Sequence, residues 1–170
     1  MKNQIEKRLY HYTVKANLKK ILESGFIRVE RSRKELIEEY KRKGKQNNVS
    51  QLEKAKDWVC VAWFSTDPQW ERTANKSLSG GIGLQANVEF VPCRLCITDA
   101  VSVGNWTSFR KQYNKDANLL SKANMGSNPY TWYYTCEPVP IDSEHIASIG
   151  VYENGEWHDY TLEEFLKMPF

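Results

Sequence analysis

Two side chains of this sequence combine reactive chemistry with a suggestive position. Glu137 directly follows the aromatic run at 132–136 and precedes a proline. A carboxylate at the end of an apolar strand is costly to bury unless it is paired or used, so Glu137 either reaches solvent or serves in a reaction. His11 lies between aromatic residues in LYHYT, where an imidazole is either a satisfied core group or a ligand donor that faces a cleft. His145 and His158 lie in or beside polar turns and are expected at the surface.

The cysteines and glycines give weaker signals. Cys93 and Cys96 have a CxxC spacing, but on a strand they would point to opposite faces, which metal chelation does not tolerate. Together with Cys60 and Cys136 they are expected to be free thiols, and no metal site is predicted. The glycine-rich stretch at 79–84 is followed by strand-like residues, so we expect a turn there; a phosphate-binding loop needs a helix behind it.

Composition narrows the class of protein. The 170 residues suit a single domain, residues 1–170, and the 26% of charged residues is ordinary for a globular chain. Lysine and arginine exceed aspartate and glutamate by 24 to 21, too small an excess to indicate nucleic-acid binding by itself. No apolar run approaches the roughly 18–20 residues of a membrane span, and the start lacks the apolar core of a secretory signal. We therefore expect a cytoplasmic protein without membrane association.

Aromatic residues are the one unusual feature of the composition, at 12% with six Trp and nine Tyr. Some of these rings are expected to line a pocket, because stacking suits flat ligands such as nicotinamide or adenine.

The first third of the chain must position His11. Its hydrophobic pattern predicts a strand, a helix that stops at a glycine and a second strand, at 8–13, 15–24 and 26–29. The charged segment 30–57 predicts a solvated helix followed by a mobile loop at 44–51. This segment is either an exposed connector or a partner-binding or lid segment.

The remaining elements must position Glu137. The apolar run at 58–66 predicts an interior strand, and 67–77 predicts a short helix with Asp67 as its N-cap. Further strands are predicted at 84–91, 94–103, 132–137 and 145–152. Helices are predicted at 105–113, in the stretch after it, and at 161–168. The chain is thus expected to form a mixed α+β domain with six to eight short strands.

Three blocks of the sequence resemble the ADP-ribosyltransferase superfamily, in particular its small bacterial and phage branch with DarT-like members. These blocks are LYHYT with NLKKILESGFI, VAWFSTDPQW, and TCEPVPIDSEHIASIGV. They are similar, in order, to the family's opening strand and helix, its central strand and its catalytic-glutamate strand, and they span residues 9–151. The resemblance implies an ADP-ribosyltransferase-like split β-sandwich with flanking helices, whose cleft holds NAD as a substrate.

The resemblance also implies roles for individual residues. Glu137 would be catalytic, holding the 2′-hydroxyl of the nicotinamide ribose and stabilising positive charge in the transition state. Arg33 is the candidate for the catalytic arginine of DarT-like enzymes, and His11 would bind the adenosine ribose or the diphosphate. The other candidates for NAD binding lie in or beside the same blocks: Tyr12, Thr13, Ser65, Thr66, Trp70, Trp132 and Tyr134. Of the aromatic ones, Tyr12 is the weakest, because strand alternation aims it away from His11.

The implied function is that of an NAD-dependent mono-ADP-ribosyltransferase that modifies a macromolecule, DNA, RNA or protein, in a toxin, phage-defence or counter-defence role. An antitoxin or a phage or host protein is a further candidate partner. Thr135 stands where arginine-modifying members have a second acid, so arginine is a poor candidate acceptor. The loop at 124–131 directly precedes the Glu137 block. The resemblance implies that this loop recognises the acceptor.

Two alternatives stay open from the sequence. The first is an enzyme of the same fold with another outcome, either NAD glycohydrolysis or RNA 2′-phosphotransfer. The second reaction would need cations for the phosphate, and the candidates are Arg28, Arg31, Arg33 and Arg94. The other alternative is a non-catalytic protein that binds NAD, a nucleotide or a protein partner.

Overall fold

The computed structural model describes residues 7–29, 33–54, 59–71, 91–122 and 126–169. The elements in these ranges are β1 (Leu9–Val14), α1 (Lys15–Ser24), β2 (Phe26–Ile27), α2 (Arg33–Arg42), α3 (Gln46–Lys54), β3 (Ala62–Ser65), β4 (Pro92–Ile97), β5 (Gly104–Asn105), α4 (Trp106–Gln112), α5 (Asn114–Lys122), β6 (Trp132–Thr135), β7 (Val139–Pro140), β8 (Ile146–Glu153), β9 (Glu156–Tyr160) and α6 (Leu162–Leu166). A 3-10 turn, Pro129–Thr131, precedes β6. The predicted mixed α+β class is confirmed.

Seven of the strands form one open antiparallel sheet in the order β5-β6-β3-β1-β4-β8-β9, and β2 pairs separately with β7. The strand β1 lies at the centre, between β3 and β4. The strand predicted at 58–66 is confirmed as an interior strand, although only Ala62–Ser65 have strand geometry. No helix in the described ranges has the length and hydrophobicity needed to cross a membrane.

The two faces of the sheet bury different side chains, because successive residues of a strand point to opposite sides. On what we call the core face, Leu9 and Leu95 pack with Leu18 of α1, Ile27 of β2 and Phe165 of α6. On the opposite side, the aromatic face, Tyr10 and Tyr12 of β1 pack with Cys96, Trp70 and Trp157. The rings of β3 and β6 on this face pack against α4: Trp63, Trp132 and Tyr134 contact Trp106 and Phe109.

Several predicted helix limits are confirmed by their caps. The helix α1 ends where the sequence indicates, and Gly25 adopts the left-handed conformation with φ of 73° that a residue without Cβ tolerates. The terminal helix α6 begins after Thr161, whose hydroxyl accepts the Glu164 amide while the Glu164 carboxylate accepts the Thr161 amide. This capping box satisfies amides that have no partner within the helix.

Two predictions for the polar segments are wrong. The segment 44–51 is not a loop: α3 occupies Gln46–Lys54 and buries Val49, so one apolar side chain anchors an otherwise polar helix. The described part of the helix predicted at 67–77 is not helical; there the Asp67 carboxylate accepts the Gln69 amide at 2.9 Å and closes a local turn. The glycine turn at 79–84 and the strand predicted at 84–91, except Val91, lie outside the described residues.

The cysteines of β4 lie on opposite faces, as predicted. Cys93 belongs to the core face and Cys96 to the aromatic face, and all four cysteines are free thiols. Burial raises the pKa of Cys93 to about 12, so its thiol is neutral and inert near pH 7. Within the part of the chain that the structure describes, no three His, Cys, Asp or Glu side chains converge on a metal-sized site.

An arginine on the aromatic face ties together three strands. The guanidinium of Arg94 on β4 binds both carboxylate oxygens of Asp159 on β9, at 3.1 and 2.6 Å. It lies over the rings of Tyr10 and Trp157, 4.7 and 4.5 Å from their centroids. Gly150 of β8 passes beneath this pair, and a Cβ placed there would come within 2.9 Å of Arg94 Cγ. Only glycine leaves room for the ion pair.

We expect Gly150→Ala to lower the free energy of unfolding by about 1–3 kcal/mol, since the added methyl group must displace the Arg94–Asp159 pair. Chemical denaturation followed by circular dichroism measures the change. Glu153→Ala, an exposed position on the same strand, is the control and should change stability by about 0.5 kcal/mol or less. Equal stability of Gly150→Ala and wild type would contradict the packing described here.

Candidate functional site

Two cavities meet at Pro138, between the end of β6 and the start of β7. One contains His11 and the other contains Glu137, and Pro138 lines both. The two residues singled out for chemistry in the sequence are therefore placed in adjoining cavities, although they are 126 positions apart in the chain (137 − 11). We call these the His11 cavity and the Glu137 cavity.

The His11 cavity has a volume of about 700 Å³, within the range of about 300–1,000 Å³ typical of ligand sites. Its polar and charged lining residues are His11, Asn17, Lys20, Ser24, Arg28 and Glu35. Ile21, Phe26, Val29 and Pro138 add apolar surface. The side chains come from β1, α1 and β2, that is, from the first block of the sequence, with α2 and the turn after β6 closing the sides.

His11 is held in one tautomer by the neighbouring strand. Its Nδ1 lies 2.9 Å from the Trp63 carbonyl oxygen, which can only accept, so Nδ1 carries the proton. Burial lowers the pKa of His11, and the bond to Trp63 offsets this only in part, so the ring is neutral near pH 7. The other ring nitrogen, Nε2, is then an acceptor. A neutral imidazole of this tautomer is suited to accept a hydrogen bond from a ligand hydroxyl.

Phe26 and Arg28 give the cavity an aromatic ring and a cation. Neither residue was predicted from the sequence to line the same site as His11. The side chain of Phe26 is 43% exposed, whereas its neighbour Ile27 is fully buried. Phe26 and Arg28, the residue that follows β2, both line the cavity. A signal for this was present in the FIRV strand, whose alternate residues could have been assigned to opposite faces. Lys20 of α1 adds a second cation.

The Glu137 cavity is smaller, about 280 Å³, and lies on the other side of Pro138. Its lining residues are Ala100, Val101, Ser102, Thr135, Glu137, Pro138, Val139, Pro140 and His145. The Thr135 hydroxyl accepts the backbone N–H of Glu137 at 3.2 Å and so fixes the turn in which Glu137 lies. The Glu137 side chain is exposed at this turn, just beyond the end of β6.

His145 lies in the wall of the Glu137 cavity, where its side chain is partly exposed. Its Nδ1 is 2.7 Å from Oδ1 of Asp142, which also accepts the backbone amides of Glu144 and His145, each at 3.0 Å. The hydrogen bond from the His145 side chain, with those from the amides, lowers the pKa of Asp142. His145 is therefore positioned by an ionised carboxylate.

The candidate stacking residues lie on the aromatic face. Tyr12 donates its hydroxyl to the Asp67 carbonyl and packs edge-on against Trp70, with 5.1 Å between ring centroids. Trp132 and Tyr134 pack against α4, and the indole N–H of Trp132 donates to Glu71 at 2.9 Å. None of the four is among the described residues that line either cavity. Aromatic richness in this chain serves mainly to pack the sheet.

The other nominated residues have structural contacts near β1 and β3. The Ser65 hydroxyl accepts the Asp67 amide at 3.1 Å, and the Thr66 amide donates to the Thr131 carbonyl at 3.0 Å. Thr13 pairs with Cys93 of β4, on the side of the sheet that carries His11. Arg33 is the first residue of α2, the helix that contributes Glu35 to the His11 cavity.

A third concavity, of about 900 Å³, follows the surface of α2. Its described lining consists of charged side chains of both signs on one helix: Lys34, Glu35, Glu38, Glu39, Arg42 and Lys43. Such an arrangement is typical of a solvated helix face. We therefore place the candidate site at the two cavities that meet at Pro138.

Comparison with protein-family models, with curated proteins and with solved structures found no match to this chain.

The low pKa of His11 predicts a specific dependence of stability on pH. The unfolded chain binds a proton at His11 near the ordinary pKa of 6.5, whereas the folded chain does so only at lower pH. This contribution to stability is complete above about pH 6.5 and is lost as the pH falls toward the pKa of the folded state. We expect His11→Asn, which keeps a side-chain N–H for Trp63 but does not titrate, to show a smaller loss.

The measurement is the free energy of unfolding at about pH 8 and pH 5 in wild type and His11→Asn. His145 and His158 are present in both proteins, so the difference between the two proteins reports His11. Parallel pH profiles of the two proteins would show that His11 is not held neutral.

Proposed function

We propose that this chain is an NAD-dependent mono-ADP-ribosyltransferase. The observation that carries the proposal is the junction of the two cavities at Pro138. On one side lie His11 and the cations Lys20 and Arg28; on the other lies Glu137. A ligand that is anionic at one end and reacts at the other fits this arrangement, and NAD is such a ligand.

The His11 cavity supports the binding of a dinucleotide through three kinds of contact. Lys20 and Arg28 suit the negative charges of a diphosphate. The free Nε2 of His11 suits a ribose hydroxyl, and the exposed ring of Phe26 offers a surface on which a flat heterocycle can stack. None of these contacts involves Tyr12, Trp70, Trp132 or Tyr134, the aromatic residues that the resemblance suggested for NAD binding.

Glu137 would supply the transition-state stabilisation. The reaction breaks the bond between ribose C1′ and the nicotinamide nitrogen, and positive charge develops on the sugar as it does so. A carboxylate that accepts the 2′-hydroxyl of that ribose orients the sugar and stabilises the charge, an effect of roughly several kcal/mol in a preorganised site. The leaving nitrogen is already positively charged and takes up the bonding electrons, so no general acid is needed.

The acceptor would be a macromolecule, nucleic acid or protein, because Glu137 lies at an exposed turn that a large molecule can reach. A toxin, phage-defence or counter-defence role belongs to the same proposal.

NAD glycohydrolysis is the second candidate function, and the exposure of Glu137 to solvent favours it, since water would compete with any acceptor. The phosphotransferase alternative loses Arg94, which is engaged by Asp159.

We expect Glu137→Gln to abolish ADP-ribosyl transfer while NAD still binds, because the amide keeps the shape of the side chain but not its charge. Purified protein is incubated with labelled NAD and a cell lysate, and the label on nucleic acid and protein is counted. Glu153→Gln, an exposed glutamate away from both cavities, is the control and should behave as wild type.

Three outcomes separate the candidate functions. Label on a macromolecule with wild type only supports the transferase and names the acceptor class. Free nicotinamide without labelled acceptor supports the glycohydrolase. Full activity of Glu137→Gln would overturn the catalytic role of Glu137. No turnover of NAD by wild type with lysate would overturn the proposal as a whole and leave a non-catalytic binding protein.

We expect Lys20→Gln and Arg28→Gln each to weaken NAD binding by about 5- to 20-fold, the loss of one charge-assisted contact of about 1–2 kcal/mol at a partly exposed site. Isothermal titration calorimetry measures the dissociation constants. Lys19→Gln, which removes a neighbouring exposed cation of α1 outside the cavity, is the matched control. Equal affinities of all three variants would place the dinucleotide elsewhere.

A further inference from the structure

We infer that His145 is the general base of the reaction, removing the proton of a hydroxyl acceptor as it attacks ribose C1′. The inference rests on the proposed function and adds to it the residue that activates the acceptor and the chemical class of that acceptor. The geometry of the Asp142 turn and of the Glu137 cavity carries it.

The orientation of His145 is fixed at one nitrogen. Nδ1 donates to Asp142 at 2.7 Å, and a carboxylate oxygen can only accept, so Nδ1 carries the proton in the neutral ring. Nε2 is then the basic nitrogen. An Asp–His pair of this kind holds the imidazole in the tautomer that a general base requires and stabilises the imidazolium that forms.

The turn that holds the pair is braced by its backbone. Oδ1 of Asp142 accepts the Glu144 and His145 amides at 3.0 Å, and the Asp142 carbonyl accepts the Ile146 amide at 2.9 Å. The Thr98 amide donates to the His145 carbonyl at 2.9 Å, which ties the turn to the end of β4. His145 is thus on a supported loop and not on a free one.

His145 and Glu137 line the same cavity of about 280 Å³, and Pro138 separates this cavity from the His11 cavity. A dinucleotide that extends from the His11 cavity past Pro138 would place its reacting ribose at Glu137. The remaining wall of the Glu137 cavity, with His145 and the residues 100–102, would then face the opposite side of that ribose. This is the side from which an acceptor must approach.

The C1′–nicotinamide bond breaks, and its electrons neutralise the ring nitrogen of the leaving group. The acceptor oxygen forms a bond to C1′, and its proton passes to Nε2 of His145 and then to solvent. An imidazole is matched to a hydroxyl that becomes acidic during attack, but it is far too weak a base for a guanidinium, which stays protonated in proteins. The proposal therefore takes a hydroxyl, and not an arginine, as the acceptor.

Small nucleophiles test the inference without knowledge of the natural acceptor. Methanol and water must each lose a proton as they attack, whereas azide is already an anion and needs no base. In His145→Ala we expect nicotinamide release and the formation of 1-O-methyl-ADP-ribose to fall by about 10²-fold. We expect azide to restore nicotinamide release, with 1-azido-ADP-ribose as product, in His145→Ala but not in Glu137→Gln.

Three further variants sharpen the test. His145→Asn can still donate to Asp142 but has no basic nitrogen, and it should behave as His145→Ala does. Asp142→Asn keeps an oxygen for the turn amides but loses the charge, so it should give a smaller loss that azide also restores, which a purely structural defect would not. His158→Ala removes a histidine outside both cavities and should match wild type.

The outcomes distinguish a failure of the proposed function from a failure of the inference about His145. If wild type leaves NAD intact in methanol, the proposed function and the inference both fall. If wild type cleaves NAD with dependence on Glu137 but His145→Ala and His145→Asn do so equally well, only the inference falls. A loss in His145→Ala that azide does not restore would likewise assign His145 a structural role.

Discussion

A ladder of only two residue pairs, between β2 and β7, holds both cavities in place. Phe26 pairs with Pro140 and Ile27 with Val139, and the Ile141 amide donates to the Gly25 carbonyl at 2.9 Å. So short a ladder is held by burial: Ile27 and Val139 are almost completely inaccessible within the core. Because β7 begins two residues after Glu137, the ladder fixes the turn that carries Glu137 and Pro138. Phe26 of β2 and Arg28, which directly follows this strand, line the His11 cavity.

The alternation of β1 divides the chemistry of the molecule between the two faces of the sheet. His11 points toward the side of α1 and β2, whereas Tyr10 and Tyr12 point to the aromatic face. On that face the Arg94–Asp159 pair and the packed rings close the surface. A polar group such as His11 is tolerated at the centre of the sheet because Trp63 satisfies Nδ1 and the cavity leaves Nε2 accessible. The aromatic face is closed by side-chain packing, whereas the core face carries both the main hydrophobic core and the His11 cavity.

Local signals in the sequence predicted those elements whose limits depend on local chemistry. Gly25 ends α1 and Thr161 begins α6, each through a conformation or cap that few residues provide. The helix α3 was missed because its single buried residue, Val49, gives no apolar period. The β2–β7 ladder could not be predicted, since it pairs segments that are more than 100 residues apart.

The same distinction holds for the candidate site. Glu137 and His11 stand out locally, as an acid at a strand end and an imidazole within a strand. Phe26, Lys20 and His145 become site candidates only through what the fold brings near them, so their types and spacing gave little warning. The four aromatic candidates are the opposite case, because they stand out in the sequence but do not line the site. A high aromatic content predicts that rings will be buried, but it does not indicate whether a ligand or another ring covers them.

Two carboxylates at or near the Glu137 cavity, those of Asp142 and Glu137, differ in the hydrogen bonds that they accept from the protein. Asp142 accepts an imidazole and two backbone amides, and these bonds, which lower its pKa, leave Oδ1 nothing further to offer a ligand. Among the described residues, no hydrogen-bond donor contacts the carboxylate of Glu137, whose neighbour Thr135 binds only its backbone amide. A carboxylate that is satisfied by its own fold can orient a neighbour but cannot respond to charge that develops on a bound molecule. Glu137 has kept that capacity, and the turn that exposes it is held at both ends, by Thr135 and by β7.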